Sequence, residues 1–273
     1  MANCGTWPVG VCSWSLQRDI DGLAKAMVEL GIDHVHLAVR PALDQGGAEY
    51  LAAIRKQNWS ISCTMIDFPQ EDYSTLESIK ITGGIVPDDC WQQNLRLFEE
   101  AVEVTAELDV EYLSMHAGFI DLDDPQYAQK ITNRIKSLAD TAAKKNITLL
   151  METGQETAEE LSNFLEDLNY PSVGVNFDPA NMILYDKGDP IQAVRILAKW
   201  VRHIHIKDAN RTETPGTWGT EVPWGTGQVD TDKFLTALKS IGFDGALAVE
   251  RESGDDILGD IRLAVDKLCG FYK

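Results

Sequence analysis

The chain alternates between two hydrophobic periods. Short apolar or β-branched runs recur at VGVCSW (9–14), HVHLAV (34–39), SISCTMI (60–66), EYLSMH (111–116), ITLLME (147–152), SVGVNFD (172–178), VRHIHIK (201–207) and GALAVER (245–251). Runs of this length that are apolar on both faces suit strands buried in a parallel sheet. Between them the apolar positions fall three or four apart: Trp91, Leu95, Phe98 and Val102; Ile131, Ile135, Leu138 and Ala142; Phe234, Leu238 and Ile241; Ile257, Ile261, Val265 and Leu268. That spacing draws one apolar stripe along a helix. Eight strand–helix units in 273 residues predict a closed (β/α)8 TIM barrel, because a doubly wound open sheet usually has fewer strands.

Two connections are long. The stretch from Asp67 to Cys90 carries two prolines and Gly83-Gly84, and it reads either as a lid over the barrel mouth or as a surface excursion. The stretch from Asp208 to Gln228 carries Trp218 and Trp224. Its Gly225-Thr226-Gly227 lacks the rest of a dinucleotide fingerprint and predicts a turn into a helix capped by Asp230 or Thr231.

No Ser/Gly/Pro-rich stretch divides the chain, so residues 1–273 read as one domain. Lys and Arg number 24 against 43 Asp and Glu, a formal net charge of −19. Such a field repels phosphate backbones and anionic headgroups, which argues against nucleic acid and membrane partners. A small anionic substrate is still admitted, because a few cations inside a cleft outweigh a distant, screened surface. The five cysteines are scattered without a Cys-x-x-Cys spacing, as in a reduced protein. The opening MANCGTWPVGVCSW has no basic region before a long apolar one, and no window reaches about 18 apolar residues. A cytoplasmic protein is expected.

In a parallel barrel the strand C-termini open on one face and their side chains converge there. Glu152 ends the fifth run, Asp178 the sixth and Glu250 follows the core of the eighth, while His205 lies near the end of the seventh. These four predict a hard, mostly oxygen-lined site for one divalent metal ion, Mn²⁺ or Mg²⁺ first, with Co²⁺ and Zn²⁺ also compatible. A single glutamate at a strand end is more often a solvated group; the four together carry the weight. His203 shares a strand face with His205 but lies deeper, and reads as a hydrogen-bonded core histidine. His34 and His36 also read as structural, although His36 could sit near the pocket. His116 either orients substrate or is a satisfied rim histidine. Lys207 and Arg211 either offset charge on an enediolate, carboxylate or phosphate, or pair with Asp208 or Glu213 at the surface. Trp14 offers an apolar face to a sugar ring or plugs the mouth.

Four segments, LLMETG (149–154), VGVNFDPAN (173–181), RHIHIKDANR (202–211) and PWGTGQVD with ALAVERE (223–230, 246–252), resemble the xylose-isomerase-like TIM-barrel superfamily of sugar isomerases and epimerases. The likeness runs over nearly the whole chain. In ketose 3-epimerases of this superfamily two glutamates, an aspartate and a histidine bind one divalent metal. The resemblance implies those roles for Glu152, Glu250, Asp178 and His205, and a substrate contact for Arg211. The sequence departs from the epimerase pattern at Asp208, where they have glutamate, and at Asn181, where they have the histidine of D-x-x-H. Asparagine hydrogen-bonds a substrate hydroxyl but takes up no charge, and Asn181 reads as a substrate contact. Hydroxypyruvate isomerases and inosose dehydratases belong to the same broad group, and the H-x-K-D after the seventh run is similar to the latter.

The expected activity is isomerisation or epimerisation of a small sugar or hydroxy-keto compound through a metal-stabilised cis-enediolate. Glu152 and Glu250 would act as acid and base at the carbon beside the carbonyl. Expulsion of a β-hydroxyl instead would make the protein an inosose dehydratase-like lyase. An endonuclease IV-like DNA repair enzyme shares the barrel but needs more than the five histidines present, and a non-catalytic sugar-binding barrel would not need the full ligand set. The resemblance admits a homo-oligomer, but no stretch compels one.

Overall fold

A computed structural model describes residues 2–17 and 19–272. The eight apolar runs form parallel strands: Trp7–Cys12 (β1), His34–Ala38 (β2), Ser60–Met65 (β3), Tyr112–Met115 (β4), Thr148–Glu152 (β5), Val173–Phe177 (β6), Val201–Ile206 (β7) and Ala246–Val249 (β8). Each pairs with its neighbours in sequence, and β8 pairs with β1, so the sheet closes into a barrel. Closure leaves no free sheet edge and turns alternate residues of every strand inward.

Helices occupy the segments where the apolar period predicts them: Trp91–Glu107, Pro125–Ala143, Thr231–Ser240 and Ile257–Gly270. Their stripes bury Phe98 and Val102; Ile131, Ile135 and Leu138; Phe234 and Leu238; Ile261, Val265 and Leu268 against the barrel wall. The starts are written in short polar side chains. Asp124 accepts the N–H groups of Gln126 and Tyr127, Thr157 and Glu160 form a reciprocal capping box, and Asp230 caps its helix through the Lys233 N–H. Each such cap contributes roughly 1 kcal/mol. Among the described residues no helix is long and apolar enough to cross a membrane.

The excursion from Asp67 to Cys90 is a folded wall. It contains the helix Leu76–Thr82, capped by Thr75 and Ser78. Arg134, reaching from a barrel helix, donates to the carbonyls of Ile85 (2.6 Å) and Val86 (2.9 Å) and lies over the Trp91 ring. Gln70 donates to the Thr82 and Gly84 carbonyls, and Glu71 accepts the N–H groups of Phe68 and Gly84. The second long connection begins as a two-stranded ribbon, Asp208–Asn210 against Thr220–Val222. The buried Asp208 carboxylate accepts backbone N–H groups from Ala209, Gly225, Gly227 and Val229. A Cβ on Gly227 would lie 2.4 Å from Asp208 Oδ1, so glycine is required for that approach.

Glu156, in the connection after β5, is only 6% exposed. Burial pushes its carboxyl up to about 8, against the pull of Lys187. The folded chain therefore keeps a proton that the unfolded chain releases near 4.5, and the stability tied to that proton is present below this value and lost as pH rises through about 8. Glu156→Gln should raise the melting temperature by roughly 5 °C or more at pH 8.5, with almost no gain at pH 4.5, in scanning calorimetry.

Candidate functional site

The barrel delivers four side chains to its C-terminal mouth. Glu152 is the last residue of β5, Asp178 follows β6, His205 lies one residue before the end of β7 and Glu250 follows β8. One ligand-type atom from each lies within 4.8 Å of all the others, and the four residues are 0–6% exposed. His205 Nδ1 is the centre of the group, 3.2 Å from Glu152 Oε1, 3.2 Å from Glu250 Oε2 and 3.6 Å from Asp178 Oδ2.

Local sequence fixes each partner. Asp178-Pro179 begins a short helix, with Asp178 Oδ1 accepting the N–H groups of Ala180 and Asn181 and proline at the first helical position. That turn carries Asn181 back over Glu152, where its Nδ2 donates to Oε1 at 3.2 Å. Gly154, at φ +145°, lies against Asn181, and a Cβ there would meet the asparagine Cβ at 2.7 Å. Glu250 is held from two sides: Trp14 Nε1 donates to Oε1 at 2.7 Å and Lys207 Nζ donates to Oε2 at 3.0 Å. His116 Nε2 lies 3.4 Å from Glu152 Oε2.

These contacts leave three buried atoms without a hydrogen-bond partner: Glu152 Oε2, Asp178 Oδ2 and His205 Nδ1. Buried polar atoms are rarely left so. All three belong to one group of hard oxygen and imidazole donors, which fits a divalent cation. Burial pushes the Glu152 carboxyl up, but His116 and His205 outweigh it and hold the group below its ordinary value. For Glu250 burial is outweighed by Lys207 and His205, which hold it well below the carboxylate range. Asp178 is pushed by burial up to about 6. Lys207 stays charged because Glu250 and Glu252 overcome the effect of its burial. Cys12 and His36 lie on the other edge of His205; burial lifts the Cys12 thiol to about 12, leaving it a neutral thiol at ordinary pH.

The cluster opens into a cavity of about 640 Å³. Trp14, His116, Asn181 and Lys207 are among the residues that line it. Arg211 is not among the lining residues: it pairs with Asp186 and donates to the Gly188 carbonyl, more than a third exposed. The ribbon that begins at Asp208 turns it outward. Lys207 is engaged by Glu250 and by Glu252 at 2.6 Å, so neither cation stands free for an anion. Further lining residues are Glu71 and Tyr73 from the folded wall, Tyr185 beyond Asn181, Trp218 and Glu221 from the ribbon segment, and Glu252 after β8; of these, only Trp218 was noted from sequence, as part of its long connection. An aromatic within a long, glycine-punctuated connection is the signal that could have found Tyr73 as well.

The xylose isomerase-like TIM barrel family model matches residues 24–268. A ketose 3-epimerase of Arthrobacter globiformis is 26% identical over 177 residues, which span 60% of this chain and 57% of the epimerase. An inosose dehydratase of Geobacillus thermodenitrificans is 25% identical over 149 residues, 48% of this chain and 49% of the dehydratase. The matches thus span about half the length of these curated relatives. The crystal structure of a xylose isomerase domain protein from Planctomyces limnophilus superposes with a TM-score of 0.87 at 31% identity, covering 98% of this chain and 97% of that one. With the closed barrel and the family match extending over nearly all of its length, the chain belongs to the xylose isomerase-like TIM barrel family.

Proposed function

We propose that this chain is a divalent-cation-dependent isomerase or epimerase of a small, uncharged polyhydroxy ketone or aldehyde, and that residues 1–273 act as one domain. The observation that carries the reading is the group of three partnerless buried atoms on Glu152, Asp178 and His205, beside Glu250, at the floor of a sugar-sized cavity. Glu152, Asp178, His205 and Glu250 would hold the cation, with Mn²⁺ or Mg²⁺ the first choices and Co²⁺ or Zn²⁺ compatible. Such an ion supplies Lewis-acid polarisation of a carbonyl oxygen.

The chain's own residues divide the proton work. Glu152 keeps an oxygen free of hydrogen bonds beside His116, which suits the base that removes the proton next to the carbonyl. Glu250 is held as a carboxylate by Trp14 and Lys207, so the proton it returns to the other face is first supplied by the Lys207 ammonium, 3.0 Å from Oε2, which regains a proton from solvent as Glu152 releases its own. Return to the same carbon from the other face gives an epimer, and return to the neighbouring carbon gives the aldose–ketose pair. Lys207 favours a second reading, because its buried ammonium lines the cavity and can donate to a departing β-hydroxyl, making the reaction a dehydration.

Charge supports an uncharged substrate. The lining carries the carboxylates of Asp67, Glu71, Glu152, Glu221, Glu250 and Glu252 against Lys207 and His116, and a bound divalent ion leaves the negative groups in excess. Aromatic faces from Trp14, Tyr73, Tyr185 and Trp218 suit the C–H side of a sugar.

Adding Mn²⁺ to chelator-treated protein should raise the melting temperature by about 5 °C or more at saturation; absence of any shift with Mn²⁺, Mg²⁺, Co²⁺ and Zn²⁺ would remove the cation from the reading. Glu152→Gln and Glu250→Gln should each lower exchange of the substrate's α-proton with solvent deuterium by roughly 10²–10⁴-fold, followed by proton NMR, with circular dichroism unchanged. Normal exchange in both would take them out of the acid–base role, and a product short of one water would establish the dehydratase reading. In a panel of ketoses, inososes and their phosphates, kcat/KM should favour each uncharged compound over its phosphate by at least about tenfold, on the order of 1.4 kcal/mol; preference for a phosphate would overturn the charge argument.

A further inference from the structure

We propose that Asn176 is a positioning residue for His205: by turning its amide end for end it sets which ring nitrogen of His205 meets the carboxylates without a proton. The proposal rests on the cation site argued above. Asn176 is fully buried in β6 with its side chain between two imidazoles. Its Nδ2 lies 3.0 Å from His205 Nε2 and its Oδ1 lies 2.9 Å from His203 Nδ1. The file continues inward, with His203 Nε2 3.0 Å from Ser62 Oγ and that hydroxyl 3.3 Å from the Val35 carbonyl oxygen. His36 Nδ1 approaches the same His205 Nε2 at 2.9 Å.

Each neutral member of this file has a donor and an acceptor, so the file runs in one of two directions. In the first, Ser62 donates to His203 Nε2, His203 Nδ1–H donates to Asn176 Oδ1 and Asn176 Nδ2 donates to His205 Nε2. His205 then carries its proton on Nδ1, pointing at Glu152, Asp178 and Glu250. That proton blocks Nδ1 as a ligand. In the second, Ser62 donates to the Val35 carbonyl and accepts from His203 Nε2–H. His203 Nδ1 accepts from the turned amide, and Asn176 Oδ1 accepts from His205 Nε2–H. The Nδ1 lone pair then faces the carboxylates, where a cation can take it.

Asparagine is the side chain that serves both directions, since it can turn its amide within the same space. His36 accepts the same Nε2–H through Nδ1 when its own proton sits on Nε2, a nitrogen left free of any partner in the barrel interior. A cation therefore reaches past His205 to a residue that touches neither it nor the cavity.

The test is the tautomer of His205 and the affinity for the metal alone. In two-bond ¹H–¹⁵N spectra of the unaltered chain loaded with diamagnetic Zn²⁺ or Mg²⁺, His205 should carry its proton on Nε2. Asn176→Leu removes the acceptor and should weaken Mn²⁺ binding by roughly 10–100-fold in calorimetric titration. Asn176→Asp can only accept, and should retain binding. A proton on Nδ1 in the loaded protein, or a folded Asn176→Leu that binds Mn²⁺ within about twofold of the unaltered chain, would overturn the proposal and leave the cation site standing. Failure of the unaltered chain to bind any of these ions would overturn both. Should Asn176→Leu not fold, the spectra of the unaltered chain decide.

Discussion

Three carboxylates crowd around one imidazole nitrogen at the C-terminal mouth of a closed barrel, and their mutual repulsion is the constraint to which the surrounding structure answers. Two like charges about 4 Å apart repel by roughly 4 kcal/mol at the effective dielectric of a protein site, so Glu152, Asp178 and Glu250 stay together only because something compensates them. Asp178 is answered by the first N–H groups of a helix, Glu250 by Trp14 and Lys207, and Glu152 by Asn181 with His116 nearby. The barrel itself supplies the rest. Parallel pairing on both sides of each strand fixes where the backbone delivers these residues, so the carboxylates can move apart only by turning their side chains out of the bonds just named.

This arrangement gives chemically different surroundings to two glutamates that look alike in sequence. One has an oxygen open toward a histidine; the other is pinned by an indole and an ammonium. Both are held as carboxylates, and the proton-bearing group of the pair is the ammonium beside the second one. The walls above them are aromatic and acidic, with Trp14, Tyr73, Tyr185 and Trp218 beside Glu71, Glu221 and Glu252.

The fold was legible because the strands are buried on both faces and read as continuous apolar runs, while the helices show a single stripe. The group Glu152, Asp178, His205 and Glu250 was legible because parallel strands point their C-termini the same way. Other placements depended on distant partners. Arg211 follows the same strand as His205, yet a ribbon closed by Thr220–Val222 turns it away. Lys207 reaches the cavity, but the glutamates that occupy it come more than forty residues later. Asp208, next to Lys207 and three residues before Arg211, is taken by four backbone N–H groups instead of a salt bridge. Charge spacing along a chain carries no trace of such backbone capture. His203 is the buried, hydrogen-bonded histidine that its depth in the strand suggested, whereas the contact of His36 with His205 is set by the pairing of strands far apart in sequence.

The clasp by Arg134 has a consequence for how this barrel can diversify. The carbonyls of Ile85 and Val86 are gathered by one guanidinium rooted in the outer helix ring, while Gln70 and Glu71 hold Thr82 and Gly84, so the excursion is both tied to the barrel and closed on itself. Tyr73, which borders the cavity and takes no part in those bonds, can therefore be exchanged to alter what the mouth admits while the rest of the excursion and the cylinder beneath it keep their shape.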